Sequence, residues 1–310
     1  MPEEQKYVYG PVPSRRLGRS LGIDIVPFKV CTLDCVYCQL GRSTRKTIER
    51  SDYVPIEPVL AELTQRLADG VDADFITVGG SGEPTLNSQL GKLVKGIKEI
   101  TNIPVAILTN GTLLYRQDVR ADCAKAQVVL PSLDAGDAQI FEKINRPHRD
   151  ISIEKLASGL CAFREEFTGQ IWLEIFIVEG LNTDIEQITK IKGLIERICP
   201  DKIHLNTAVR PTADAHVSKV KPKKLKAIAA CLGTSCEVVA DFSVSRQTRH
   251  FKTTAEDLLS MLKRRPCSLN DVCAALGIGR NEAIKYITYL KRRGLIDSDE
   301  KNQTLFFKAN

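Results

Sequence analysis

Between residue 20 and about residue 240 the sequence alternates short, apolar, β-rich runs with amphipathic stretches of helical length. The runs are LGIDIV (21–26), DFITV (74–78), VAIL (105–108), VVLPSL (128–133), IWLEIFIV (171–178) and KIHLN (202–206). Between them, at 58–67, 90–100, 153–163 and 185–198, apolar residues recur every three or four positions, the period of a helix with one buried face. Strands joined by helix-length connections run parallel, because a tight turn can only bring the chain back antiparallel. The alternation therefore restricts this part of the chain to a parallel sheet covered by helices.

Two architectures satisfy that restriction, an open doubly wound sheet and a complete or partial (β/α) barrel. The polar residues favour the barrel. GGSGEP, TNG, SLD, EGLN and NTAVRP each lie at or just past the C-terminal end of a strand. A barrel collects its site from nearly every strand end, whereas an open sheet concentrates it at one switch point. The expected fold is α/β, a partial (β/α)6 TIM-type barrel over residues 1–244. After a loop and a helix near 221–232, the composition breaks at 245–254. From there the pattern reads helix (255–264), helix (268–276), the turn GIGR, helix (281–293), and a hairpin in GLIDSDEKNQTLFFK. That order resembles a small winged helix-turn-helix domain over 255–310.

Charge divides along the same line. Residues 245–310 hold 13 Lys and Arg against 7 Asp and Glu, while residues 1–244 balance at 31 of each, so the net +6 belongs to the C-terminal part. An anionic partner is expected there, nucleic acid foremost. In the third helix, Ile284, Ile287 and Leu290 are the expected buried face, and Arg280, Lys285, Lys291, Arg292 and Arg293 supply the charge. The acidic hairpin tip DSDEKN would oppose a phosphate backbone. The opening MPEEQKYVYGPVPSRR lacks the apolar run of a secretory signal, and no segment approaches the roughly 18 apolar residues of a membrane helix. We expect a cytoplasmic protein without membrane contact, and its ten cysteines as thiols.

Three of those cysteines stand apart: Cys31, Cys35 and Cys38, in CTLDCVYC. Two at C-x-x-C would suggest a redox pair, and four in two such pairs a structural zinc. Three suit an iron–sulfur cubane that keeps one iron open to an outside ligand. A zinc site completed by a remote fourth ligand is the alternative. CTLDCVYC, with an aromatic residue before its last cysteine, resembles the signature of the radical S-adenosylmethionine (SAM) enzymes. The resemblance implies a [4Fe–4S] cluster on the three cysteines and SAM chelated to the open iron. It also implies reductive cleavage of SAM to a 5′-deoxyadenosyl radical that abstracts hydrogen from a substrate, with an external flavodoxin- or ferredoxin-type electron donor.

Other residues join this reading through the resemblance. GGSGEP (Gly79, Gly80, Ser81, Gly82, Glu83 and Pro84) is similar to the family's glycine-rich motif, which meets the amino group of SAM. Glycine permits close backbone approach, and Glu83 suits an ammonium. Asn110, with Ser132 or Asp134, sits where the family places polar contacts to SAM; a turn at Asn110-Gly111 and a helix cap at Asp134 fit equally. Glu174, Asn182 and Arg210 lie on a strand or just beyond strand ends and could face the site. Arg146, in INRPH, could grip a carboxylate or phosphate. The opening GPVPSRRLGRSLGID, with Arg15, Arg16 and Arg19, resembles that of small radical SAM proteins related to the tRNA wyosine-base (4-demethylwyosine) synthases. No cysteine precedes Cys31 to hold those enzymes' second cluster. Two functions from different classes remain: a radical SAM enzyme, with RNA modification as a refinement, and an iron–sulfur redox-sensing DNA-binding regulator.

Overall fold

The computed structural model describes residues 6–239, 255–301 and 303–310. It begins with β1 (Val8–Ser14), β2 (Gly18–Ile23), the two-residue β3 (Val30–Cys31) and β4 (Arg45–Lys46), then α1 (Ile56–Ala68), β5 (Phe75–Val78) and α2 (Leu90–Ile100). There follow β6 (Val105–Leu108), α3 (Gln117–Cys123), β7 (Val128–Leu130), α4 (Ala138–Asn145), α5 (Ile153–Glu166) and β8 (Gln170–Ile177). α6 (Ile185–Ile198), β9 (Lys202–Thr207), α7 (Pro222–Leu232) and β10 (Cys236–Val238) complete the first unit. Local chemistry sets many of the boundaries. Pro55 leads into α1 with a φ already close to helical, and Asp137, Ser152 and Asp184 accept the free N–H groups at the starts of α4, α5 and α6. The cap before α4 is thus Asp137, not Asp134.

Eight strands form one sheet in the order β1-β2-β5-β6-β7-β8-β9-β10. β1 is antiparallel to β2, and every later pair is parallel. The order never reverses, so the sheet has no switch point; this is the winding of a barrel rather than of a doubly wound sheet. All six runs read from the sequence are present as successive neighbours. β7 is shorter than its run, because Pro131 has no N–H to donate, yet the chain stays beside β8 through a bridge between Ser132 and Glu174. Two outer strands escaped the sequence pattern. β1 carries Gly10, Pro11 and Pro13, tolerable only at an edge, and β10 is three residues long.

Alternation along the strands divides two environments. Ile76, Val78, Ile107, Leu173 and Ile175 join the helices in the main core. The inner face carries Ala106, Val128, Leu130 and Trp172, packed around Leu17 from the β1–β2 turn. Farther along the same face come Glu174 on β8, opposite His204 on β9, and then Asn206. The inner face therefore changes from apolar to polar toward the strand ends where a site is expected.

The C-terminal segment consists of α8 (Ala255–Leu262), β11 (Cys267–Ser268), α9 (Leu269–Leu276), α10 (Arg280–Arg292), β12 (Ile296–Lys301) and β13 (Thr304–Ala309), with its three strands in the order β11-β13-β12. It has its own core, onto which Val12 of β1 packs. The expected helices and hairpin are present; the junction at 245–254 and Asn302 at the hairpin tip lie outside the described residues. The buried face of α10 is Ala283, Ile287 and Leu290, at the i, i+4, i+7 spacing of one helical stripe. Ile284, expected there, is one residue round the helix and stands 45% exposed. Among the described residues no helix is long and apolar enough to cross a membrane.

Candidate active site

The chain between β2 and β4 carries the three cysteines, each half-buried and unbonded to another. Each sulfur accepts an N–H from a different place. Asn110 Nδ2, just beyond β6, lies 3.5 Å from Cys31 Sγ; Asn145 Nδ2, at the end of α4, lies 3.4 Å from Cys35 Sγ; and Lys29 Nζ lies 3.2 Å from Cys38 Sγ. Lys29 is itself buried and takes a left-handed backbone, φ 62°, which costs a non-glycine residue about 1–2 kcal/mol. Its own N–H donates to Ser81 O at 2.7 Å, tying the cysteine loop to the GGSGEP loop. Strain accepted at such a point is a feature of functional sites.

Burial pushes the Cys31 thiol up to about 12, with the nearby Glu83 carboxylate adding to it, and burial and Asp134 push Cys35 up as well. Thiolates in these positions need bound positive charge, which a metal centre supplies. The donor set fits a [4Fe–4S] cluster: three thiols, each with an N–H to share its charge, and an asparagine or lysine rather than a fourth ligand beside each. Among the described residues no group of three or more His, Cys, Asp or Glu converges as a single metal ion requires. A cubane differs from such an ion in spreading its thiolates over separate irons.

The glycine-rich loop follows β5. A Cβ on Gly82 would stand 2.1 Å from the Val30 carbonyl oxygen, and one on Gly80 would stand 2.9 Å from the Asp24 carboxyl. The close approach that these glycines permit is thus to the chain around the cysteine loop, a reason the sequence did not disclose. Ser81 N donates to Asp24 Oδ2 at 3.1 Å, with the Ser81 hydroxyl on the same oxygen. Glu83 is buried. Its Oε1 accepts from Thr109 Oγ1 at 2.6 Å and Thr85 Oγ1 at 2.5 Å, and its Oε2 from Asn110 N at 2.7 Å. Burial raises its pKa, against the effect of these donors. Pro84 opens a single 3-10 turn capped by Glu83.

Asp134 and Asn182 work inward. Asp134 accepts from Tyr37 Oη at 2.5 Å, Asn145 Nδ2 at 2.7 Å and Phe176 N at 2.8 Å, while burial pushes its carboxyl up. Tyr37, the aromatic residue of the cysteine motif, stacks on Phe176 with ring centroids 3.9 Å apart. Asn182 is fully buried and bonds to Val178 N, Asp134 O and Phe176 O, fixing the turn after β8. Ser132 is half-exposed beside Glu174. Glu174 pairs with Arg16 and accepts from Asn206 Nδ2 at 3.0 Å. Arg146 does grip a carboxylate, that of Asp214 at 2.6 Å, and holds it below the usual range. Arg210 is 2% exposed and meets Asp271 of α9 at 3.0 Å.

The family model described as "Radical SAM superfamily" matches residues 25–190, which include the cysteine loop, the glycine-rich loop and the strand ends through β8. The chain belongs to the radical SAM superfamily. It is 37% identical over 233 residues to the UPF0026 protein MJ1312 of Methanocaldococcus jannaschii, covering 74% of this chain and 71% of that one, and so is also a UPF0026 protein. A Brachyspira hyodysenteriae protein named GTPase Obg is 35% identical over 308 residues, 98% of this chain; the chain spans 45% of that protein's length. Among solved structures, Streptococcus suis SuiB bound to S-adenosylmethionine superposes with a TM-score of 0.53 at 16% identity, over 71% of this chain and 50% of that one. At that identity the likeness shows the fold alone. Radical SAM enzymes use a [4Fe–4S] cluster and SAM, and this chain is an enzyme of that class.

Within this radical SAM fold, sequence reasoning missed Lys29, Asn145 and Asp24. Asn145 lies inside INRPH beside Arg146, so the motif drew notice and its neighbouring side chain did not. Lys29 and Asp24 gave no signal beyond their nearness to the first cysteine.

Proposed function

We propose that Cys31, Cys35 and Cys38 hold the cluster and that residues 79–84 seat the methionine end of SAM beside it. The substrate then lies along the polar part of the inner face. The observation that carries this reading is the convergence of N–H donors from three separate places on the three sulfurs. When bound, cluster and SAM together supply reductive cleavage of the S–C5′ bond and a 5′-deoxyadenosyl radical for hydrogen abstraction, the electron coming from a flavodoxin- or ferredoxin-type donor. Asn110, Asn145 and Lys29 favour the charged sulfurs by hydrogen bonding. Glu83 fixes the loop after β5 to that after β6, and Ser132 offers a hydroxyl for the ribose of SAM. Asp134 and Asn182 hold the walls, and Tyr37 and Phe176 form an apolar screen beside Cys35.

We further assign residues 1–244 to the catalytic barrel and 255–310 to a winged helix. Kinship with the wyosine-base synthases rests on the opening arginines. Arg19 pairs outward with Asp72, so only Arg15 and Arg16 turn inward. Arg280, Lys285, Lys291, Arg292 and Arg293 are exposed on or beside α10, which supports RNA as a substrate delivered by this unit; the same face supports a DNA-binding regulator. Docking of the unit on the barrel favours the substrate side. The test is anaerobic reconstitution with SAM and dithionite beside Cys35→Ala. Formation of 5′-deoxyadenosine by the intact chain only is the expected result; none from a chain with cluster and SAM bound would overturn it.

A further inference from the structure

The C-terminal unit brings two arginines to the seam of the barrel. The Arg264 guanidinium lies 4.1 Å from the centre of the Tyr9 ring, and that ring occupies the space where Gly22 lacks a Cβ. Arg265 follows, close to Tyr9, Arg15, Arg210 and Asp271. The barrel adds Arg16 from the β1–β2 turn. Among the described residues, carboxylates answer three of these cations: Glu174 for Arg16, Asp271 for Arg210 at 3.0 Å, and Asp24 for Arg264 at 3.6 Å. Arg15 donates to Asn206 Oδ1 at 3.2 Å and Val239 O at 2.5 Å. The crowding registers on Arg15, which burial first and then Arg210, Arg16 and Arg265 push down to about 9.

Arg265 differs in degree: among the described residues, Arg16 and Arg264 each bury one nitrogen without a hydrogen-bond acceptor but face a carboxylate, whereas Arg265 buries two. Its Nε and Nη2 are sealed from solvent and meet no acceptor among the described residues. These two nitrogens form one edge of the guanidinium, whose parallel N–H groups match two oxygens of a single carboxylate or phosphate. Leaving charged donors buried and idle is costly, so such an edge marks the place of an oxyanion.

We infer that the Nε/Nη2 edge of Arg265 binds an oxyanion, a phosphate or carboxylate group of the substrate, at the seam where the C-terminal unit meets the barrel. The inference deepens the reading above that the inner face is the substrate chamber. It also gives the C-terminal unit a part in the site itself, since Arg265 comes from the α8–β11 turn.

Isothermal titration of the full chain, without cluster or SAM, tests it. Pyrophosphate and citrate are titrated separately into wild type, Arg265→Gln, Arg265→Lys and, as a control on the exposed face of α2, Lys95→Gln. One saturable site is expected for at least one anion, and which of them binds tells phosphate from carboxylate. Arg265→Gln should weaken it about tenfold or more, Arg265→Lys by a smaller factor, and Lys95→Gln not at all. Arg265→Lys keeps the charge, and thermal melting of each variant shows that it is folded. Absence of binding by wild type, or wild-type affinity in folded Arg265→Gln or Arg265→Lys, would overturn the inference. Neither result touches SAM cleavage, which is measured apart from it.

Discussion

Asn145 uses one amide nitrogen on two acceptors, Cys35 Sγ at 3.4 Å and Asp134 Oδ2 at 2.7 Å. Because Asp134 also holds Tyr37 and Phe176, the side chain links a sulfur to the wall beside it. Asn145→Ala should therefore do more than leave a small void. It removes a donor from a charged sulfur and from a buried carboxyl, each worth about 1–3 kcal/mol. We expect the variant to fold, to retain less iron after reconstitution, and to form 5′-deoxyadenosine at least about tenfold more slowly. Iron per chain and the reduced-cluster electron paramagnetic resonance spectrum are the measurements, and a wild-type spectrum would count against the role. Nothing in the sequence pointed to this residue, because it acts across 110 positions. Arg146 beside it was legible as a charged group in a turn, and its carboxylate proved to be Asp214 of the same chain.

Elements were more legible than residues wherever periodicity was strong. β8 is apolar on nearly every position because both its faces are covered, and α2 and α6 show one clean buried stripe each. α3 and α4, of seven and eight residues, are too short for a period to emerge. α4 instead depends on its cap. Asp137 is held down to about 2, by the Ile140 N–H first and then by Lys190, against about 3.9 in an unfolded chain. A depressed folded pKa stabilises fully above the unfolded value and loses its effect as pH falls toward the folded one. Asp137→Ala should thus cost about 1 kcal/mol at neutral pH. In urea unfolding, its gap from wild type should close as pH falls from about 4 toward 2; a gap unchanged at pH 3 and below would exclude the cap as its source. Gly82→Ala acts between loops rather than within a helix. With a Cβ 2.1 Å from the Val30 oxygen, the loop must move off the cysteines, and SAM binding measured by equilibrium dialysis should be lost while the fold persists.

At the scale of the molecule, the C-terminal unit is joined to the barrel by more than chain connectivity. The Arg210–Asp271 pair is nearly dry, at 2% and 9% side-chain exposure, and Lys301 reaches Thr212 Oγ1 and Val217 O at 3.1 and 3.0 Å. The composition break near 245 made the two units visible, but their docking was not, because ion-pair partners 61 residues apart leave no local pattern. Removing one member of a buried pair strands the other's charge, at about 3–5 kcal/mol, whereas replacing both with apolar side chains is often close to neutral. Asp271→Leu alone should therefore loosen the interface, seen as a larger radius of gyration in small-angle scattering. Asp271 also caps α9 with Ser268, so part of its cost falls within the unit. Arg210→Met separates the two effects: it leaves the cap intact and takes from the interface carboxylate the cation it is hydrogen-bonded to. If Arg210→Met and Asp271→Leu both open the molecule and the double variant recovers part of the closure, the pair holds the units in register. Unchanged scattering in Arg210→Met would place the strength of docking elsewhere, in the apolar contact of Val12 with the C-terminal core.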